Sequence, residues 1–154
     1  MRLDRFTTRA REAIEAGHQD AVARGNPEFD VLHILIGILA DREGAVAGVL
    51  QRIEVPIDAL SGKVVAALDL LPRVQGGEPG LSRDLSALLA SAEKETAAFK
   101  DDYVGTEHLI LAMLAGYRGV AAELLRDAGV TRDRFLIGLK DVRGGARVTD
   151  PEAE

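Results

Sequence analysis

At 154 residues, with 47% hydrophobic and 29% charged side chains, the chain suits one globular domain with a real core. A net charge of −6 with no lysine or arginine cluster gives no basic face for a nucleic acid, and the lack of cysteine excludes disulfides and thiolate chemistry. The apolar runs fall short of the ~20 residues that cross a bilayer, so no membrane partner is expected. The first six residues, Met1-Arg2-Leu3-Asp4-Arg5-Phe6, lack the apolar core of a secretory signal. A cytoplasmic location follows as the expectation.

In chain order, Phe6, Ala10, Ala13, Ile14, Gly17 and Ala21 recur at helical spacing and predict a first helix over 7–24. Gly25-Asn26-Pro27 stops it. A second helix over 30–42 is apolar on all sides and should be buried on most of them. After Gly44 a short third helix covers 45–51. Pro56 opens a fourth, proline being tolerated in a first turn, with Leu60, Val64, Ala67, Leu68 and Leu71 on its apolar face. The proline- and glycine-rich stretch 72–80 is a joint. Beyond it, Ser82 caps a fifth helix lined by Leu81, Leu85, Leu88, Leu89 and Ala92. Thr106 is expected to cap a sixth, again apolar all round, and Gly119 and Gly129 bracket a seventh. An eighth covers 131–143, with Phe135, Leu136, Leu139 and Val142 inward. No stretch alternates with period two, so no sheet is expected. Residues 144–154 lack periodicity and end acidic, which reads as a linker to a further domain.

The two buried helices are copies. His33 and His108 are 75 residues apart, and the same offset pairs Phe6 with Leu81, Thr7 with Ser82, Leu39 with Leu114 and Gly44 with Gly119. It also pairs Leu50 with Leu125 and Asp58 with Asp133, without a gap. The predicted fold is therefore all-α, eight helices in two tandem four-helix repeats related by a pseudo-two-fold. Repeat one covers about 1–71, the joint 72–80 and repeat two 81–143.

Little in the sequence suggests catalysis. The sole Gly-Lys pair, Gly62-Lys63, is followed by Val64, and Ile57 stands where a phosphate-binding loop needs its first glycine. His33 and His108 read first as hydrogen-bonded structural groups. Asp101-Asp102 reads either as a solvated loop favouring a helix N-terminus or, with Glu107, as part of a binding patch.

Gly105-Thr106-Glu107-His108-Leu109 at the buried helix and Phe6-Thr7-Thr8-Arg9-Ala10 at the front resemble the N-terminal domain of Clp-type AAA+ chaperones. Met1-Arg2-Leu3-Asp4-Arg5-Phe6-Thr7, Leu71-Pro72-Arg73-Val74 and Val142-Arg143-Gly144-Gly145-Ala146-Arg147-Val148 are similar to its ClpB disaggregase branch. The resemblance implies a non-catalytic domain that engages apolar segments of unfolded or aggregated client proteins. Such a domain passes them to a hexameric ATPase ring joined through the C-terminal linker. The chain itself needs no cofactor; ATP and magnesium belong to the ATPase domains. The resemblance further implies substrate contacts at Thr7, Asp101 and Glu107, with Tyr103 and His108 as candidates for an adjoining apolar groove. On this reading Glu107→Ala weakens client binding with little change in melting temperature. A proteolytic branch of the family, docking adaptors, is the alternative. Leu32 stands where that branch typically carries a glutamate, which speaks against recognition of a guanidinium group there.

Overall fold

The computed structural model describes residues 2–153, and those residues form eight helices with very little strand. Helix α1 spans Thr8–Arg24, α2 Val31–Ala40, α3 Ala45–Arg52 and α4 Ile57–Asp69. The second repeat supplies α5 Arg83–Phe99, α6 Thr106–Leu114, α7 Val120–Asp127 and α8 Arg132–Arg143. Local chemistry sets the starts. Thr7, Ser82 and Thr131 each accept a backbone N–H of the following turn, capping α1, α5 and α8. Every residue of α6 and eight of the ten in α2 are buried, as an all-round apolar composition demands.

The repeats are not two bundles laid side by side. Helix α3 packs on α8 and α6 of the other repeat, α4 packs on α7, and α7 on α2. One hydrophobic core therefore runs through both halves, from Phe6, Ile14 and Leu35 to Leu109, Leu125 and Phe135. The exchange extends to the backbone. Strands β1 (Glu28–Phe29) and β2 (Gly80–Leu81) pair in parallel, with Phe29 opposite Leu81, and Phe6 forms an isolated parallel bridge with Val104. The 75-residue offset turns one pairing into the other, because Phe6 corresponds to Leu81 and Phe29 to Val104. That interchange is what a pseudo-two-fold requires.

These pairings correct the expectation of no sheet. Two residues cannot display a period of two, so hydrophobic patterning is blind to them. Three smaller corrections accompany this one. Gly105, not Thr106, is the N-cap of α6. Leu81 and Val142, assigned inward, are exposed. The stretch after α8 does not hang free: Val148 is buried, and Thr8 N–H donates to the Pro151 carbonyl at 2.8 Å.

Candidate functional site

The charged centre of the molecule is built where α5, α6 and α8 meet. Lys100 ends α5 in the left-handed region (φ 56°), and Asp101 N–H then turns back to the Thr96 carbonyl at 3.0 Å. This aims the Asp101 carboxylate under the start of α6. There His108 reaches back along its own helix. Gly105 N–H donates to His108 Nδ1 at 2.8 Å, so the ring proton sits on Nε2 and is donated to Asp101 Oδ2 at 2.7 Å. The imidazole does the job that glutamate or glutamine does in the usual capping box. Arg143, in the last turn of α8, completes the cluster. Its Nη2 lies 2.9 Å from Asp101 Oδ2 and 3.0 Å from Glu107 Oε2, and the guanidinium carbon stands 5.1 Å over the Phe99 ring. Finally Val148 N–H donates to Asp101 Oδ1 at 2.7 Å.

Repeat one carries the uncharged version. Asp30 N–H donates to His33 Nδ1, and His33 Nε2 donates to Asn26 Oδ1 at 2.8 Å. The offset of 75 matches Asn26 to Asp101, Leu32 to Glu107 and Leu68 to Arg143. Leu32 and Leu68 are both buried. An apolar pair thus occupies in one half the place of an ion pair in the other.

Of the five residues singled out from the sequence, Asp101, Glu107 and His108 are brought together through Arg143. Thr7 is adjacent through the bridge, its N–H donating to the Val104 carbonyl at 2.9 Å. Thr7 and His108 are 0% exposed, Glu107 2% and Asp101 7%; Tyr103 is half-buried. None of the first four forms an open rim. The reading of Asp101 as a solvated loop residue is corrected, since three donors surround its buried carboxylate; Asp102, beside it, is exposed. Glu107 also serves stability. Its carboxylate bonds the Arg143 guanidinium in a nearly dry setting, so Glu107→Ala is now expected to cost about 1–3 kcal/mol, read as a lowered melting temperature.

A groove lies beside this cluster, and neither Tyr103 nor His108 is among the residues lining it. It holds about 390 Å³ and is walled by Gly44, Ala45 and Gly48 on one side and Val142, Ala146 and Val148 on the other, with Glu107 and Arg143 also lining it. Arg143 and the 146–148 segment escaped the sequence reading. The signal was present, since the repeat offset exchanges Glu107 and Arg143 together for leucines.

Both buried histidines resist protonation. Burial holds His33 and His108 below the ordinary imidazole value of 6.5, although Asp101 opposes this for His108. A proton on Nδ1 would also evict the backbone N–H that Nδ1 accepts. The unfolded chain takes up these protons near pH 6.5 and the folded one does not, so stability is full above that pH and falls below it. Burial pushes the Asp101 carboxyl up, but Val148 N–H, Arg143 and His108 outweigh it and hold it below the ordinary 3.8. Its contribution is present above pH 3.8 and is lost on further acidification. The expected melting temperature is level from pH 8 to 7 and declines from about pH 6.5 downward. A melting temperature unchanged between pH 7 and 5 would contradict the neutral-imidazole assignment.

Among the described residues no cluster of three or more histidines or carboxylates is placed to hold a metal, and no helix is long and apolar enough to cross a membrane. The architecture is that of an all-α domain built from two repeats around one core. The chain belongs to the Clp repeat (R) N-terminal domain family, whose model matches residues 5–139. It is 35% identical over 154 residues to a chaperone protein ClpB from Rhodopirellula baltica, matching 99% of this chain and 17% of that relative. The chain therefore corresponds to less than a fifth of the length of that relative. The fold matches the N-terminal domain of Hsp104 from Candida albicans with a TM-score of 0.84 at 21% identity, covering 97% of this chain and 98% of that one. It also matches a ClpV N-domain in complex with a VipB peptide, with a TM-score of 0.75 at 19% identity, covering 94% and 91%.

Proposed function

We propose that this domain captures exposed apolar segments of unfolded or aggregated proteins for the ATPase ring of a ClpB-type cytoplasmic chaperone. The observation that carries this reading is the groove between α3 and α8. Gly44, Ala45, Gly48 and Ala146 form part of its wall, so an extended segment can lay its backbone close there and seat one or two apolar side chains. Four of its eleven lining residues, Glu43, Glu107, Arg143 and Arg147, are charged, so an apolar strip is flanked by groups able to bond the backbone of any extended segment. The buried cluster of Asp101, Glu107, His108 and Arg143, with Thr7 alongside, holds the groove in shape; Tyr103, half-buried, extends the surface beside it. The complex of a ClpV N-domain with a peptide supports a peptide-holding role for this fold. Affinity for a single domain is expected to be modest, because ordering a disordered segment costs entropy, and avidity from six copies on a ring would compensate. ATP and magnesium would act in the ATPase domains, reached through the segment after α8.

Titration of the isotope-labelled domain with a permanently unfolded protein tests the reading. Amide shifts are expected to centre on Ala45, Gly48, Val142 and the 101–103 turn. Shifts distributed evenly over both repeats, or none at all, would overturn it.

A further inference from the structure

The segment 144–153 lies across the domain as a strap, held at two points. At the first, Val148 is buried with its N–H on Asp101 Oδ1, while Asp102 and Tyr103 N–H groups donate to the Val148 carbonyl at 2.7 and 3.2 Å. Thr149 N–H closes a tight turn on the Arg147 carbonyl at 3.1 Å, so Val148 is presented at a bend, its backbone held from both sides and its side chain in a slot. At the second, Thr8 N–H donates to the Pro151 carbonyl, and Thr8 Oγ1 donates to Glu152 Oε1 at 2.6 Å. Helix α1 has no acidic residue in its first turn, so Glu152 supplies the negative charge that a helix N-terminus favours. Between the strap and α8 lie Gly144, with φ 62°, and Gly145; neither would meet another atom within 4 Å if it carried a Cβ. Nothing packs against the joint; the backbone bonds from Gly144 N–H to the Lys140 carbonyl and from Ala146 N–H to the Arg143 carbonyl are what hold it. Release of the strap does not strip the buried charges, because His108 and Arg143 stay on Asp101.

We propose that the strap is a built-in occupant of a peptide cradle and that an extended client segment displaces it. This rests on the proposed client-binding role. The strap also forms one wall of the groove through Ala146 and Val148, so an occupant of the groove and the strap contend for adjoining space. The cradle suits a peptide able to bend, with a small apolar residue followed four positions later by a carboxylate, the spacing of Val148 and Glu152. Displacement has a mechanical consequence. Ten residues pass from the surface of the domain into the tether, lengthening its reach by up to about 33 Å when fully extended. Client binding and tether length are then coupled, and the coupling is reciprocal.

The lack of native cysteine allows spin labels to be placed at Lys63→Cys on α4 and Thr149→Cys on the strap, both exposed. A dominant narrow distance with a minor broad component of about one part in ten is expected in the free domain. Adding a permanently unfolded protein should convert it to a broad, longer distribution in proportion to binding. Val148→Gly should give the broad distribution without client and bind client about tenfold tighter, the factor set by an open state populated about one part in ten. Should that variant unfold, Glu152→Ala, at the outer anchor, should loosen the strap in the same direction. Groove amides that shift on client addition while the label distance stays fixed would overturn the displacement and leave the client-binding role standing. A domain that binds no unfolded protein, with the strap docked or loosened, would overturn both.

Discussion

Arg143→Met is expected to cost about 3–5 kcal/mol of stability, the range for removing one partner from a buried ion cluster. The guanidinium is 11% exposed and joins two carboxylates that are nearly fully buried. Methionine keeps the stem and its packing on Phe99 but supplies no charge and no donors. Asp101 and Glu107 would then bring two negative charges together in the interior, with neutral His108 beside them. At about 2–4 °C per kcal/mol for a domain of this size, the melting temperature should fall by roughly 6–20 °C. Repeat one supplies the control. The triple change Asp101→Asn, Glu107→Leu and Arg143→Leu copies Asn26, Leu32 and Leu68, which fill the same places in an uncharged core. It should return stability to within about 1–2 kcal/mol of the parent, since a well-packed apolar replacement of a buried ion pair is often neutral. Thermal melts of both variants decide the matter. A triple variant less stable than Arg143→Met would show that the two halves are not interchangeable at this point.

Gly37→Ala is expected to be at least as damaging. A Cβ at Gly37 would stand 2.2 Å from the Ala13 carbonyl oxygen, and one at Gly17 would stand 2.5 Å from the His33 carbonyl oxygen. Helices α1 and α2 therefore cross with their backbones in near contact, and neither backbone can move aside as a flexible side chain would. Overpacking of a core costs about 1–3 kcal/mol when side chains give way, and here the helices themselves must separate. A loss of about 3 kcal/mol or more, or failure to fold, should follow in denaturant titration. Gly62→Ala is the matching test at a helical glycine with nothing within 4 Å. It should stabilise by about 0.5–1 kcal/mol, because alanine forfeits less backbone entropy in a helix. Equal effects at the two positions would refute the close crossing.

Much of this was legible from composition and periodicity. The eight helices, the unusual burial of the second and sixth, and the repeat offset all follow from where apolar residues recur. The duplication set His33 and His108 in matching places, whereas the candidate residues themselves came from the family resemblance. Their setting was not legible. Asp101 and Glu107 look like a solvent-facing rim in a list of residues, yet the chain carries its own guanidinium to them from α8, 42 and 36 residues away. The expected effect of Glu107→Ala on stability changes for that reason alone. The tail misled in the opposite way. Gly144-Gly145 and the lack of periodicity read as linker, but three backbone hydrogen bonds to the Val148 and Pro151 carbonyls and one from Val148 N–H to the Asp101 carboxylate fasten it without requiring any periodic pattern of side chains.

The sequence by itself determined the helices and their duplication, because apolar spacing and caps act within a few residues of one another. The tertiary structure alone decided how the repeats interlock, how the ions of the second half are brought into one cluster and where the groove and strap lie. Those features depend on backbone groups and charges meeting across long separations, and neither a propensity nor a period records such encounters.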